Sequence, residues 1–217
     1  MKRITLILAG LLLCIGKVAF AGLQEADALF TQGKYAEALA EYQNTLPTLT
    51  EADASYAQFY IAFCLEKQGR YDEAIAEYSK VATIQNANPK WVAYAQFHIG
   101  CCLALQGKYN EAITEYGKVA TIQNAPLYNI LEAQFYTGLC LEKQGKDDEA
   151  QQYYIAICKQ ENAGLGWWKR GFSKVNKTKL GKDGYVKLLQ DIILIIPATD
   201  ETAEFLGLLK SELQKLE

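Results

Sequence analysis

The chain has 217 residues, of which 50% are hydrophobic and 22% are charged, so it is long and apolar enough to form a buried core. This composition excludes disorder as the main state of the chain. The formal charge is −3, and an acidic protein is a poor partner for the phosphate backbone of nucleic acids.

The segment 1–21 has the composition of a secretory signal peptide. A basic start is followed by an apolar stretch over residues 4–15, and the pattern A-F-A ends the segment without any acidic residue. We therefore predict an exported, periplasmic protein that is cleaved after Ala21. A lipoprotein signal with Cys14 as lipid acceptor is the alternative, although a leucine precedes it where such signals have a small residue. Losing the three basic residues of the leader would change the charge from −3 to −6.

Five cysteines follow the leader, and an odd number cannot form a complete set of disulfides. Cys64, Cys102 and Cys140 recur at a constant interval, as buried packing residues of a repeat would. Stacked repeats place such equivalent positions farther apart than a disulfide allows. We predict free, buried thiols. His98 is the single histidine, so no zinc-ligand set can be assembled, and we expect no metal and no cofactor.

Four segments of the chain are near copies of one another. They read QGKYAEALAEY from Gln32, QGRYDEAIAEY from Gln68, QGKYNEAITEY from Gln106 and QGKDDEAQQYY from Gln144. The second residue of each copy is a glycine, and these glycines recur at nearly constant intervals as Gly33, Gly69, Gly107 and Gly145. A period of this length is typical of proteins that are built from stacked repeats. The region 22–162 is therefore predicted to contain four repeats.

Each repeat has the pattern of a helical hairpin. In the second repeat, apolar residues recur at four-residue spacing on two faces before the glycine, namely Ala57, Ile61 and Leu65 on one face and Phe59 and Phe63 on the other. After the glycine, Tyr71, Ala74 and Tyr78 recur at a spacing of three and four positions, which indicates an amphipathic second helix. The glycine breaks the first helix and allows a short turn. Because one hairpin cannot bury two apolar faces, the hairpins must stack.

Several positions of this hairpin resemble the tetratricopeptide repeat. The matching residues are the small residue at Gly100 or Gly138, the aromatic residue at Tyr71 or Tyr109, the alanine at Ala74 or Ala112, and the aromatic residue at Tyr78 or Tyr116. The resemblance covers approximately residues 23–160. It implies an all-α fold, a right-handed solenoid of antiparallel helical hairpins, with a C-terminal capping helix.

A narrower resemblance involves the segments AQFYIA, AQFHIG and AQFYTG. They are similar to the longer repeats of exported bacterial envelope proteins, such as the periplasmic partner of the Tol-Pal system and the outer-membrane assembly lipoproteins. The chain departs from the common pattern in three ways. Gln58, Gln96 and Gln134 stand where a large apolar residue is usual, Asp147 replaces the turn tyrosine in the fourth repeat, and the period is longer than the common one.

The motif fades over residues 163–217, where we predict a degenerate fifth hairpin and a capping helix. Its helices are predicted over residues 164–175 and 183–196, and the capping helix follows Asp200. A group of basic residues lies between positions 169 and 182, next to two tryptophans. One interpretation is a second surface that contacts anionic lipid or an acidic partner through Trp167, Trp168, Lys169 and Arg170. In the other, the tryptophans pack on the fourth hairpin and the lysines are solvated.

The resemblance implies a partner-binding groove along the first helices of the repeats. The predicted groove residues are Phe59, Tyr60, Phe63, Glu66, Phe97, His98, Cys101, Phe135, Tyr136, Leu139 and Glu142. The alternative for Phe59, Phe97 and Phe135 is that these rings replace the missing large apolar residue in the core. The groove lacks the basic and amide residues that hold a C-terminal carboxylate in this family, so we expect an extended or helical apolar segment as the ligand.

The function predicted from these features is protein interaction rather than catalysis. The sequence contains no glycine-rich phosphate loop, Ser/His/Asp set or metal motif. We expect a scaffold that binds a protein or peptide segment of an envelope protein. An envelope-surface component attached through residues 167–182 and an accessory subunit of an envelope enzyme complex remain alternatives. The oligomeric state is left open.

Overall fold

The computed structural model describes residues 20–216. These residues form helices joined by short turns, and none of residues 20–216 lies in a β-strand. The predicted leader falls almost entirely outside this range, as does Cys14. Only its last two residues are described, and they are helical.

The helices of the described part follow in this order: α1 over residues 20–31, α2 Tyr35–Thr45, α3 Glu51–Lys67, α4 Tyr71–Val81, α5 Pro89–Leu105, α6 Tyr109–Val119, α7 Leu127–Lys143, α8 Asp147–Cys158, α9 Leu165–Lys174, α10 Lys177–Ile195 and α11 Ala203–Gln214. A short 3-10 helix, Leu46–Thr48, follows α2.

The chain divides into two compact units, Met1–Pro126 and Leu127–Glu217. In the first unit, α3 packs on α4 and α5 packs on α6 as antiparallel hairpins, and α4 packs on α5 to stack the second pair on the first. In the second unit, α7 pairs with α8, α8 packs on α9, and α10 packs on α11. The predicted all-α fold of stacked helical hairpins is confirmed in each unit.

The glycine of each repeat makes the turn between the two helices of its hairpin. Gly33, Gly69, Gly107 and Gly145 have φ values of 76°, 75°, 77° and 72°, a left-handed conformation that glycine adopts without steric cost. In the second repeat the amide of Arg70 donates to the carbonyl oxygen of Leu65 at 3.0 Å, which closes the end of α3. The predicted turn is confirmed.

Small residues let the two helices of a hairpin approach closely. A Cβ atom on Gly100 would lie 2.5 Å from Cε1 of Tyr116, and one on Gly138 would lie 2.5 Å from Cε1 of Tyr154. Both tyrosines are buried. The glycines therefore make room for the large rings that fill the hairpin core.

Two of the three glutamines that depart from the family pattern have a structural reason. Gln58 on α3 donates from Nε2 to the backbone oxygen of Glu77 at 3.1 Å and to its carboxylate at 2.8 Å. Gln96 on α5 makes the same pair of bonds with Glu115, at 3.2 and 2.7 Å. Each glutamine thus joins the two helices of its hairpin by hydrogen bonds where an apolar side chain would join them by packing.

A short helical turn that the sequence does not predict precedes one of the C-terminal helices. The predicted helix over residues 183–196 corresponds to the part of α10 after Gly181, whose backbone is non-helical with a φ of 68° and separates it from the turn that starts at Lys177. The side chain of Asn176 accepts a hydrogen bond from the amide of Lys179 and caps the early turn. The second unit contains a core of buried residues that includes Trp168, Tyr185, Leu189 and Phe205.

The cysteines of the described part are free, as predicted. Cys64, Cys102, Cys140 and Cys158 are buried and Cys101 is half-buried. Burial raises the pKa of the Cys64 and Cys158 thiols to about 12. Since the thiolate is the reactive form, both thiols are held in their unreactive state at neutral pH.

Candidate partner-binding surfaces

A cluster of aromatic side chains on α3 and α5 surrounds an open cavity of about 290 Å³ in the first unit. We call this cluster the aromatic cup. Its lining consists of Phe59, Tyr60, Phe63, Lys90, Trp91, Tyr94 and His98. Four of these residues, Phe59, Tyr60, Phe63 and His98, are among the predicted groove residues.

Helical spacing brings these rings together. Phe59 and Phe63 lie one turn apart on α3, while Trp91, Tyr94 and His98 lie at i, i+3 and i+7 on α5. The centroid of Phe59 is 5.2 Å from that of Trp91, and the centroid of Phe63 is 5.0 Å from that of His98. These are ordinary distances for tilted and edge-to-face aromatic pairs. The cup is therefore a preformed apolar surface.

Three of the predicted groove residues, all phenylalanines, lie in the core, which is the alternative that the sequence left open. Phe59, Phe97 and Phe135 are only 4%, 4% and 6% exposed. Each packs on the buried tyrosine of its own hairpin, with ring centroids 5.4, 5.4 and 5.5 Å apart. The three rings are core residues because they fill the space between the paired helices, and Phe59 forms only the floor of the cup.

The half-buried rim of the cup includes residues that the sequence analysis missed. Trp91 and Tyr94 are both half-buried, and Trp91 contacts Tyr56 and Phe59 with ring centroids at 5.1 and 5.2 Å. Lys90 is exposed, and its Nζ lies 4.8 Å from the centroid of Trp91. In the preceding repeat, Asp53 stands at the position that corresponds to Trp91. A search for residues that recur in every repeat therefore does not find Trp91.

A largely buried carboxylate, that of Glu66, pairs with His98 of the cup lining. Glu66 accepts a hydrogen bond from the hydroxyl of Tyr78 at 2.8 Å and pairs with Nδ1 of His98 at 2.8 Å, and the Cys102 thiol donates to it at 3.7 Å. The side chains of Glu66 and His98 are 10% and 16% exposed. Burial by itself would raise the pKa of the Glu66 carboxyl, but the bonds and charge of His98 and the Tyr78 bond together lower it below its ordinary value.

The second unit carries an aromatic surface at the corresponding positions, two repeats later in the chain. Phe135 and Tyr136 lie on α7, and Trp167 on α9 lies 6.5 Å from Phe135 between ring centroids. The guanidinium of Arg170 lies 4.0 Å from the centroid of Phe135 and 5.0 Å from that of Trp167. We call these four residues the arginine-aromatic surface.

The other predicted groove residues have mixed surroundings. Glu142 on α7 forms an ion pair with Lys174 on α9, with Oε2 2.9 Å from Nζ. Leu139 on α7 is half-buried. Cys101 on α5 is half-buried, and its sulfur accepts a hydrogen bond from the hydroxyl of Tyr116 at 3.5 Å.

The predicted second surface of Trp167, Trp168, Lys169 and Arg170 is not one continuous surface. Trp168 is 3% exposed, and its indole nitrogen donates to the backbone oxygen of Gln160 at 3.0 Å. Its ring belongs to the core of the second unit. Three of the lysines that follow form ion pairs, Lys174 with Glu142, Lys177 with Glu212, and Lys179 with Asp148. The positive charge of the segment is thus partly compensated.

Residues 20–216 contain no group of three or more His, Cys, Asp or Glu side chains arranged to hold a metal ion. In the same range, no helix combines the length and the apolar character that crossing a bilayer requires.

Comparison with known proteins agrees with this architecture. Residues 53–125 and residues 132–161 each match a family model described as tetratricopeptide repeat. No curated protein matches the sequence significantly. A tetratricopeptide repeat protein from Parabacteroides merdae is similar in structure, with a TM-score of 0.56 and 12% identity over 92% of this chain and 73% of that one. The MamA protein is similar with a TM-score of 0.51 and 17% identity over 93% and 88%.

Identities of 12% and 17% show a shared fold and nothing about ligands. The two matched segments fall in different compact units. Tetratricopeptide repeats generally bind protein or peptide partners. Each of the two units therefore contains a segment that matches the tetratricopeptide repeat.

Proposed function

We propose that this protein is an exported, non-catalytic scaffold that holds a segment of a bacterial envelope protein against the first helices of its repeats. The partner segment is extended or helical and inserts an apolar side chain into the aromatic cup. The single observation that carries this proposal is the cup itself.

The cup has the chemistry of an interface anchor site. Its rim of Tyr60, Phe63, Trp91 and Tyr94 is half-buried, so much of the apolar ring surface is already desolvated while part of it stays accessible. Aromatic residues in such pockets contribute a large share of binding energy in protein interfaces. Their rigid side chains lose little conformational entropy when a ligand binds.

Export is supported by the leader pattern of residues 1–21 and is compatible with the state of the cysteines. In an oxidising compartment, accessible thiolates are oxidised. Burial shields the Cys64 and Cys158 thiols and raises their pKa to about 12, so few thiolates form. These thiols would stay reduced after export. The resemblance to repeats of envelope proteins supports a partner in the same compartment.

A site-specific photo-crosslinker tests this function in the expressing cell. Benzoylphenylalanine replaces Lys90, which is exposed at the rim of the cup, and in a matched variant it replaces Ala76, which is exposed on α4. We expect a crosslinked envelope protein from position 90 only, identified by mass spectrometry after fractionation. Equal crosslinking from position 76, or crosslinks only to cytoplasmic proteins, would overturn the proposal.

A further inference from the structure

The arginine-aromatic surface of the second unit contains a cation without an internal counter-ion. Arg170 forms no ion pair within the part of the chain that the structure describes. Lys174, one helical turn further along α9, pairs with Glu142 at 2.9 Å. Arg170 therefore presents the uncompensated charge of this surface.

The guanidinium of Arg170 lies against three aromatic rings. The guanidinium carbon lies 4.0 Å from the centroid of Phe135, with Trp167 at 5.0 Å and Tyr136 at 5.7 Å. A guanidinium above an aromatic ring keeps its N–H groups directed outward at its edge. This arrangement suits a carboxylate, which accepts two parallel hydrogen bonds from the guanidinium edge. The half-buried rings around it also exclude water from one side of such a pair.

The same positions in the first unit have another chemistry. Two repeats earlier in the sequence, Trp91 corresponds to Trp167, and Tyr94 corresponds to Arg170. The cup thus has an aromatic ring where the second surface has a guanidinium. A ligand residue that suits the cup is apolar, whereas a ligand residue that suits Arg170 is anionic.

We propose that the arginine-aromatic surface of Phe135, Tyr136, Trp167 and Arg170 binds an acidic side chain of a partner segment that is flanked by an apolar residue. The carboxylate pairs with the edge of Arg170, and the apolar neighbour contacts Trp167 and Tyr136. A single carboxylate fits better than a doubly charged phosphate because Glu142 already neutralises Lys174. The proposal rests on the proposed function in assuming a protein ligand, but it concerns a different site.

Two model peptides that differ in one group test the site. The probes are acetyl-Phe-Glu-amide and acetyl-Phe-Gln-amide, titrated into the full chain while the tryptophan indole resonances are followed by nitrogen-15 NMR. Trp167 is assigned through a Trp167→Phe variant. We expect the glutamate peptide to shift the Trp167 signal with a dissociation constant about tenfold or more lower than that of the glutamine peptide. The buried Trp168 signal should not move.

Substitutions at Arg170 separate binding from packing. Arg170→Met keeps an apolar side chain over Phe135, and we expect it to abolish the preference for glutamate. Arg170→Lys keeps the charge without the planar pair of donors, and we expect it to reduce the preference several-fold. Lys182→Ala, which removes an exposed lysine of the same segment, should leave the preference unchanged. Near-UV circular dichroism checks that each variant is folded. If Arg170→Met does not fold, the preference measured for Arg170→Lys decides the test.

Three results with the peptides would overturn the proposal. They are the absence of a Trp167 shift with the glutamate peptide, equal affinity for both peptides, and an unchanged preference in Arg170→Lys and Arg170→Met. A response to inorganic phosphate as strong as that to the glutamate peptide would also overturn it, because the site would then be a general anion site. None of these results bears on crosslinking at Lys90, so the two proposals fail separately.

Discussion

The aromatic cup and the arginine-aromatic surface show one backbone arrangement with two kinds of side chain. In both, a buried phenylalanine, Phe59 or Phe135, packs on a tyrosine of its hairpin, and a tryptophan of a later helix packs near it. In both, a glutamate of the first helix meets a basic partner, His98 for Glu66 and Lys174 for Glu142. The repeat therefore fixes the floor of each surface, whereas a few rim positions differ in chemistry between the two.

The largest effect is expected for the two buried phenylalanines. Truncating Phe59 or Phe135 to alanine removes a core ring and should reduce the free energy of unfolding by about 3–5 kcal/mol in each case. Urea denaturation followed by circular dichroism measures it. A loss below about 1 kcal/mol at either position would show that the two floors are not equivalent core sites.

A smaller, pH-dependent effect is expected for the carboxylate of Glu66, which pairs with His98 of the cup lining. Glu66→Gln removes a charged acceptor from Tyr78 and His98 and should cost about 1.5–3 kcal/mol at pH 7. The pKa of Glu66 lies below its ordinary value in the folded protein, so its contribution is complete above the unfolded value of about 4.3 and is lost as the pH falls through the folded pKa.

Urea denaturation of the wild type and the Glu66→Gln variant at pH 7 and pH 3 measures this dependence. The stability difference between the two proteins should shrink at pH 3, as protonation of the carboxyl in the wild type sets in. A difference that stays constant or grows towards acid pH would contradict the assignment of the charge to Glu66.

The smallest effect is expected for the equivalent pair in the second unit. The side chains of Lys174 and Glu142 are 34% and 32% exposed, and pairs of this exposure contribute little because water screens them. Lys174→Ala should therefore change the free energy of unfolding by about 0–1 kcal/mol. Lys182→Ala is the control for loss of a lysine from this segment. A cost of about 3 kcal/mol or more, as for a buried pair, would remove the contrast between the two surfaces.

The sequence was sufficient to predict the repeated parts of this fold. Recurring glycines predicted the hairpin turns, because a turn of this kind is a local feature and appears in four copies. The periodicity of α3 could not decide which face is covered, since its apolar residues lie on more than one face. The burial of Phe59 therefore had to come from the structure.

The rim residues were less predictable for another reason. Trp91 and Arg170 break the repeat pattern, so comparing the copies with one another gives no expectation for them. The correspondence of Trp91 with Trp167, two repeats apart, is visible in the sequence. The structure is needed to show that the two tryptophans occupy equivalent places, because α9 packs on the fourth hairpin as α5 packs on the second.

The most direct test of the account is the affinity of the crosslinked partner segment for a Trp91→Ala variant. Isothermal titration calorimetry of the purified segment should give a dissociation constant at least about tenfold higher than for the wild type, equivalent to about 1.4 kcal/mol. The same variant should lose less unfolding free energy than Phe59→Ala, and an Ala76→Lys control should bind normally. Unchanged affinity in Trp91→Ala, with the protein folded, would contradict the claim that the aromatic cup binds the partner.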